Sequence, residues 1–373
     1  MSPKEQNVTE TEVDKHHTQP DHLFYRISDR FHQAREKRAR SNREEPVIVP
    51  SVGYGSAKDG WVRVVGRALY KTELFEKVFN SLDSNVTSTE PIRGWRSFTA
   101  IAISYAPITI TVDGQQFQVN TDRGGVLDAK ISIQLSPGMH EVLMHTPGSM
   151  IARTTVYNVP PEQKIGVVSD IDDTVMVTAL PRPVLAAWNS FVLNEHARTP
   201  TPGMSVLMDR IHREYPDAPF MYLSTGAWNI APTLHRFLTR NAYPKGTFLL
   251  TDWGPTTDRW FRSGSAHKVN SLSRLAEEFP EMKWILIGDD GQRDPDIYSG
   301  FAVRYPQNVA AILIRNLTLG ESVLASGRVW SDNRSQAITR GRFWMEANDG
   351  ATLINKLKRM GLLSNVKDET SNS

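Results

Sequence analysis

The sequence predicts an α/β protein, in which a doubly wound parallel sheet is preceded by a small antiparallel β-sandwich or barrel. The first observation is that apolar and polar residues alternate in short segments of residues 47–163, with turn residues between the segments. The second is that short, wholly apolar runs alternate with helix-like segments after Pro160-Pro161. Strands that are apolar on both faces are typical of a parallel sheet covered by helices on both sides. At 373 residues, the chain is long enough for two such domains.

Six strands are predicted in the β-rich domain, residues 47–163. Asp113-Gly114 is a hairpin signal between two of them, because glycine adopts the positive φ of a tight turn without strain. A helical insertion is predicted at Leu74–Leu82. The strands are Trp61–Arg67, Pro107–Val112, Gln116–Asn120, Val126–Leu135, Met139–His145 and Arg153–Val159.

Five apolar runs predict the strands of the second domain, residues 164–360. They are Ile165–Val168, Phe220–Leu223, Phe248–Leu250, Trp284–Ile287 and Ala310–Ile314. Helices are predicted between them at Met204–Glu214, Ile230–Thr239 and Val269–Phe279. Ligands of a doubly wound sheet bind beyond the carboxyl ends of the strands, so the residues that follow each run are candidate site residues.

The two ends of the chain differ from the domains. Residues 1–46 are predicted to be a disordered tail that includes a basic amphipathic helix at residues 23–43, and residues 361–373 are a polar tail. The helix has two interpretations: its apolar face docks on the protein's own body, or it lies on an anionic membrane surface. The sequence shows no secretory leader and no run long enough to span a membrane. We expect a cytoplasmic protein. If the helix lies on a membrane surface, the protein also makes peripheral membrane contact.

Composition excludes several classes of function. The absence of cysteine excludes a disulfide scaffold, a cysteine-ligated metal site and a thiol nucleophile. Lys and Arg number 43 against 41 Asp and Glu, which gives no overall basic charge for binding nucleic acid. We expect no nucleic-acid partner. The oligomeric state is not determined by the sequence.

Three carboxylates follow the first apolar run, in the segment Ser169-Asp170-Ile171-Asp172-Asp173-Thr174. Carboxylates this close repel one another, and a hard divalent cation such as Mg²⁺ relieves that repulsion. Alternation puts Asp170 and Asp172 on one side of an extended segment, where one can act as nucleophile and the other can transfer protons. The alternative is an acidic turn in which Asp173 or Thr174 caps a helix.

Further polar residues follow the later runs. Ser224 precedes a small residue and Gly226, a pattern that suits phosphate binding as well as an ordinary capped turn. Lys268 is predicted at the start of the helix Val269–Phe279, where it is either a phosphate ligand or a surface charge. A second acidic group, Asp289, Asp290 and Asp294, follows the fourth run and offers further carboxylates to a cation near Asp170.

Taken in order, these segments resemble the haloacid dehalogenase superfamily of aspartyl-phosphate phosphatases. SDIDDT at 169–174, LSTGAW at 223–228 and LIGDDGQRDPDIY at 286–298 are more specifically similar to the actin-patch phosphatidate phosphatase family and its bacterial relatives. Family members often carry Ser-Asn-Ser-Pro-Trp at the second motif, of which this chain retains only Ser224 and Trp228. A β-rich domain before the catalytic domain is also similar to that family.

The resemblance implies a role for each candidate residue. Asp170 attacks phosphorus to form an aspartyl-phosphate, and Asp172 protonates the leaving oxygen and then activates water. Ser224 contacts the transferring phosphoryl group, and Lys268 neutralises it and positions Asp170. Thr174 is a structural support of the loop.

The resemblance also implies a Mg²⁺ site. Its ligands are the Asp170 carboxylate, the Asp172 backbone carbonyl and Asp289. Asp294 supports the metal or its waters, with Asp290 as a further candidate, and the roles of Asp173 and Asp290 stay open.

Three functions are compatible with these residues. The first is Mg²⁺-dependent hydrolysis of phosphatidate to diacylglycerol and phosphate, and the second is hydrolysis of a soluble phosphomonoester. The third is a non-catalytic adaptor that binds a lipid or protein, although the complete catalytic set argues against it. About 50 residues separate the first two motifs, too few for a large cap domain, so we expect an open site. The loop 251–267, with Trp253, Trp260 and Phe261, is either an apolar wall at its mouth or ordinary packing.

Overall fold

In a computed structural model of the chain, the structure describes residues 45–70, 101–177, 199–251, 260–291, 293–318 and 343–365, together with Glu36. The predictions for residues 74–82 and for Trp253 lie outside what is described, as does the prediction for residues 23–43, except that Glu36 is helical. Trp260 and Phe261 are helical, so the predicted loop 251–267 ends before them, but their side chains lie outside what is described. Among the described residues, no helix combines the length and the apolar character that crossing a membrane requires. The chain forms two compact units, and it passes from the first to the second between Asn158 and Val159.

The first unit is an antiparallel β structure, as the alternating segments predict. Its sheet has the strand order β1-β3-β2-β9-β8-β5-β6, and β4 and β7 also pair with β3. The strands are β1 (Pro46–Pro50), β2 (Gly53–Ser56), β3 (Trp61–Tyr70), β4 (Ile101–Ala102), β5 (Pro107–Val112), β6 (Gln115–Asn120), β7 (Val126–Ser132), β8 (Gly138–His145) and β9 (Ala152–Val159).

Side-chain alternation builds the core of this unit. Ile108, Ile110 and Val112 of β5 are fully buried, while the residues between them are only partly buried. The β5–β6 hairpin turns at Asp113-Gly114, where φ is +47° and +74°, which confirms the tight turn predicted there.

The second unit contains a six-stranded parallel sheet with the order β14-β13-β10-β15-β16-β17. Its strands are β10 (Ile165–Asp170), β13 (Phe220–Ala227), β14 (Thr247–Thr251), β15 (Lys283–Asp289), β16 (Val309–Arg315) and β17 (Trp344–Ala347), and β11 (Met176–Val177) pairs separately with β12 (Thr199–Pro200). The helices are α1 (Met204–Glu214), α2 (Ala231–Arg240), α3 (Trp260–Glu278), α4 (Asp294–Arg304) and α5 (Gly350–Arg359), with short 3₁₀ turns at Trp228–Ile230 and Pro306–Asn308.

The order of the strands determines where a site can form. β10 is the first strand of this sheet along the chain, and the later strands are added on one side as β13 and β14 and on the other as β15, β16 and β17. The connections therefore diverge on either side of β10, and this leaves a crevice at the carboxyl end of that strand. Asp170 is the last residue of β10.

Candidate active site

Neighbouring strands bring the two acidic groups of the sequence together. Ser169 of β10 pairs with Ile287 of β15, and β15 ends two residues later at Asp289. Asp294 then begins α4. Asp170, Asp289 and Asp294 are all buried, and each offers a carboxylate oxygen within 4.8 Å of the others.

Lys268 joins two of these carboxylates. Its Nζ donates hydrogen bonds to Oδ1 of Asp170 at 2.7 Å and to Oδ1 of Asp294 at 2.6 Å. Only 3% of the Lys268 side chain is exposed, so the interpretation as a surface charge is wrong.

The prediction that Lys268 starts a helix is also wrong, because α3 begins at Trp260 and Lys268 lies in its interior. The first residues of α3 include two serines and Gly264, which have low helix propensity. The local sequence therefore did not predict a helix there. A Cβ on Gly264 would lie 2.8 Å from Cγ2 of Thr225, so this part of α3 packs closely on β13. That tertiary contact stabilises the first part of α3, where helix propensity alone does not.

The carboxylate set fits a divalent cation. Oδ2 of Asp170 and Oδ2 of Asp294 are buried and have no hydrogen-bond partner. A buried carboxylate oxygen without a partner is costly, and coordination to a hard cation removes that cost. Asp170, Asp289 and Asp294 would therefore hold the ion.

The charge balance points the same way. Five aspartates at this edge are buried, namely Asp170, Asp172, Asp173, Asp289 and Asp294, whereas the buried cations there, among the described residues, are Lys268 and Arg315. A divalent cation offsets much of the excess negative charge.

Burial governs the ionisation of the cluster. It raises the pKa of Asp170 well above the ordinary value, and the nearby carboxylates add to that rise while Lys268 opposes it. Burial likewise raises the pKa of Asp289, although an N–H donated by Gly291 lowers it. For Lys268, burial alone lowers the pKa, but Asp170 and Asp294 outweigh burial and raise it, so the ammonium stays charged.

Asp172 lies in a different environment from Asp170. Its Oδ2 accepts a hydrogen bond of 3.0 Å from Oγ of Ser224. The Ser224 hydroxyl in turn accepts the backbone N–H of Gly226 at 3.0 Å. The residues predicted for proton transfer and for phosphate contact are thus in direct contact.

A turn follows Asp172, and no helix begins there. The N–H groups of Val175 and Met176 both donate to the Ile171 carbonyl, and the chain then enters β11. The alternative that Asp173 or Thr174 caps a helix is therefore wrong.

Asp173 adopts a left-handed backbone conformation in this turn, with φ +59°. The Arg315 guanidinium donates to its carbonyl oxygen at 2.8 Å. Thr174 donates a long hydrogen bond of 3.5 Å to Asp289, in keeping with the supporting role implied for it.

Asp290 points to a neighbouring loop. Its Oδ1 accepts the N–H of Leu317 at 2.8 Å, and its own N–H donates to the Arg315 carbonyl. It does not belong to the close group formed by Asp170, Asp289 and Asp294.

Two residues at the site were not predicted. Arg315 directly follows the fifth apolar run, so reading the residue after each run would have found it. Tyr298 lies inside the quoted motif, but its spacing from Asp294 carried no signal of its own. Its hydroxyl donates to the Ile287 carbonyl at 3.0 Å.

Comparison with known proteins bears on these observations. Residues 165–316 match the family model described as phosphatidate phosphatase APP1, catalytic domain. This segment is similar to the catalytic domain of that family. The match begins with β10 and ends just after β16, so it includes every candidate site residue, and the family resemblance predicted from the motifs is confirmed. The chain therefore carries a domain that resembles a phosphatase catalytic domain.

Two relatives that the chain matches are fungal proteins. The phosphatidate phosphatase APP1 of Saccharomyces cerevisiae is 25% identical over 207 residues, which cover 54% of this chain and 35% of the yeast protein. An uncharacterised protein of Schizosaccharomyces pombe is 27% identical over 157 residues, covering 41% of this chain and 25% of its own. The chain thus spans about a third or less of the length of these relatives.

The similarity to solved structures is low. A carbohydrate acetylesterase from Xanthomonas citri covers 76% of each chain at 8% identity, with a TM-score of 0.25. This value is too low to support a conclusion about fold or function.

Proposed function

We propose that this protein is a Mg²⁺-dependent phosphatase of the haloacid dehalogenase superfamily that hydrolyses phosphatidate to diacylglycerol and phosphate. Residues 164–360 form the catalytic domain, with the doubly wound fold of that superfamily, and residues 47–163 form a separate β domain. The observation that carries the proposal is the contact of Lys268 with both Asp170 and Asp294, beside two buried carboxylate oxygens that have no partner. Charge-paired carboxylates at the carboxyl end of a central strand are suited to phosphoryl transfer.

The proposed reaction assigns a step to each of these side chains. An oxygen of Asp170 attacks phosphorus, the bond to the leaving oxygen breaks, and Asp172 gives that oxygen a proton. Asp172 then takes a proton from water, whose oxygen attacks the aspartyl-phosphate and releases phosphate. Both carboxylates thereby return to their starting states.

The remaining side chains stabilise charge. The ammonium of Lys268 neutralises a phosphoryl oxygen and fixes the orientation of Asp170, and Ser224 donates to the phosphoryl group from beside Asp172. Asp170, Asp289 and Asp294, with the Asp172 carbonyl as a further ligand, would hold Mg²⁺, which would neutralise phosphoryl charge.

The choice of phosphatidate rests on the family and on the name of the yeast relative. A phospholipid substrate requires peripheral contact with a membrane, and the basic segment at residues 23–43 supports such contact by a cytoplasmic protein. A soluble phosphomonoester is the alternative substrate, since the cluster recognises the phosphoryl group itself.

The test measures phosphate release from phosphatidate in mixed micelles and from p-nitrophenyl phosphate, each with Mg²⁺ and with EDTA. We expect Mg²⁺-dependent release from phosphatidate, and a loss of about a thousandfold or more in Asp170→Asn. The control is Asp296→Asn, the same change at an exposed position of α4. Equal activity in the two variants would show that Asp170 is not the nucleophile.

The substrate comparison separates the alternatives. Turnover of p-nitrophenyl phosphate without turnover of phosphatidate would exclude the lipid substrate and leave the phosphatase chemistry intact. Binding of phosphatidate without turnover of either substrate would favour the adaptor. A chain lacking residues 23–43 tests membrane contact, because unchanged activity on micelles would contradict a role for that segment.

A further inference from the structure

Tyr298 is a fully buried residue to which the proposed reaction gives no role. It lies in α4, four residues after Asp294, so both side chains are on one face of that helix. Its hydroxyl donates to the Ile287 carbonyl at 3.0 Å, two residues before Asp289. The backbone of Asp170 lies close to the same phenolic oxygen.

This hydroxyl lies at the end of the β10–β15 pairing. The last paired residues of these strands are Ser169 and Ile287. Beyond them Asp170 and Asp289 repel each other, and the two strands no longer pair with each other, although Asp170 still pairs with Leu223 and Asp289 with Arg315. A hydroxyl that donates to the Ile287 carbonyl and lies close to the Asp170 backbone reinforces the connection where the pairing of these two strands ends.

We propose that Tyr298 is a positioning residue that fixes the three carboxylates relative to one another. One phenol connects the backbone of Asp170, the strand that ends in Asp289 and the helix that begins with Asp294. The inference rests on the proposed function, because it assigns Tyr298 to the cation and nucleophile geometry of that site.

The ring is as tightly placed as the hydroxyl. A Cβ on Gly288 would lie 2.8 Å from Cε2 of Tyr298 and 2.6 Å from Oδ2 of Asp294. Tyr298 therefore fills the space over Gly288 next to the carboxylate that it positions. Side chains packed this closely have no alternative rotamer without displacing their neighbours.

Tyr298 acts here as a hydrogen-bond donor and takes no part in proton transfer. Its proton is directed to the Ile287 carbonyl. Burial and the three neighbouring carboxylates raise the pKa of Tyr298, so the phenol stays protonated.

The experiment compares Tyr298→Phe with Tyr222→Phe in the full-length chain. Tyr222 is a matched control, because it is also fully buried in the same unit and its hydroxyl donates to the Pro244 carbonyl at 2.7 Å. Both variants keep the ring and lose one hydroxyl, so we expect a similar fall in Tm. Only Tyr298→Phe should lower Mg²⁺ affinity, by about tenfold or more in calorimetry of the metal-free protein.

Two further readouts are expected to separate the variants. In Tyr298→Phe, kcat falls about tenfold or more while KM stays within about twofold, as for a group that acts on the transition-state geometry. Amide hydrogen exchange in the peptide containing Asp170 becomes faster in Tyr298→Phe than in Tyr222→Phe. Equal Mg²⁺ affinity and equal exchange in the two variants would overturn the inference.

These readouts distinguish the two proposals. If the parent protein releases no phosphate from any substrate, the proposed function fails, while Mg²⁺ affinity and amide exchange still test Tyr298. If the parent is active and the two variants agree in all three measurements, the proposed function stands and the role of Tyr298 is wrong.

Discussion

Lys268 and Asp170 form a buried ion pair in which Nζ lies 2.7 Å from Oδ1 and the side chains are 3% and 1% exposed. The two residues are 98 positions apart in the sequence. A charge this deeply buried requires a partner, since an isolated one would be strongly destabilising. The pair therefore fixes α3 against the end of β10 and also holds the proposed nucleophile.

Replacement of Lys268 by Met should destabilise the fold and abolish phosphatase activity. The change leaves Asp170 and Asp294 close together without their shared cation, and breaking a buried pair in this way costs about 3–5 kcal/mol. Urea unfolding without Mg²⁺ measures the loss, and added Mg²⁺ should recover part of it. Lys283→Met, at an exposed position of β15, should change the free energy of unfolding by less than about 0.5 kcal/mol. Similar values for the two variants would contradict a buried ion pair.

Alanine should have opposite effects at two glycines that lie twelve residues apart, Gly288 and Gly300. At Gly288 a Cβ would lie 2.6 Å from Oδ2 of Asp294, so overpacking should cost about 1–3 kcal/mol and lower Mg²⁺ affinity. At Gly300, in α4, a Cβ meets nothing within 4 Å, so alanine should stabilise by up to about 1 kcal/mol through helix propensity. Thermal unfolding and calorimetric Mg²⁺ titration measure both effects. Normal Mg²⁺ affinity in Gly288→Ala would show that Asp294 moves freely.

Two substitutions should separate the conformation of Asp173 from its charge. Its φ of +59° is tolerated by Asn but costs most other residues about 1–2 kcal/mol. We expect Asp173→Asn to unfold at nearly the parent's urea concentration and Asp173→Ala to be less stable by about that amount. Equal loss in both variants would instead assign the effect to the carboxylate, whose charge raises the pKa of Asp289.

Glu214 should stabilise the second unit in a pH-dependent way. Its Oε2 accepts Oγ–H and N–H of Ser364 at 2.6 and 2.9 Å, and these bonds lower the pKa of Glu214 from 4.5. A lowered folded-state pKa gives stability that is present above pH 4.5 and is lost as the pH falls through the folded value. Because the group is largely exposed, Glu214→Gln should cost at most about 1 kcal/mol at pH 7.

Urea unfolding of the parent and of Glu214→Gln at pH 7 and at pH 3 measures this difference. It should be larger at pH 7 than at pH 3, because the folded-state pKa of Glu214 is lowered. Glu162→Gln, at another exposed glutamate, is the control. A difference as large at pH 3 as at pH 7 would show that ionisation of Glu214 is not its source.

The predicted strands agree closely with the structure because their signals are local. The segment PITITV forms β5 with the bounds that were predicted for it, and the helix Met204–Glu214 begins and ends as predicted. The first nine residues of α3 were missed because their propensity is low and packing on Thr225 compensates for it. β17 was also missed, since a four-residue strand has too few residues to show a period.

The sequence by itself determined which acids follow the strands, in what order, and which family residues 165–316 resemble. Those features are local or motif-based, so they can be read without knowing how the strands are arranged. Only the tertiary structure decided that Lys268 reaches two carboxylates from the interior of a helix and that Tyr298 connects the three segments of the cluster. Such contacts depend on strand order and helix packing, which bring residues far apart in the chain to within hydrogen-bonding distance.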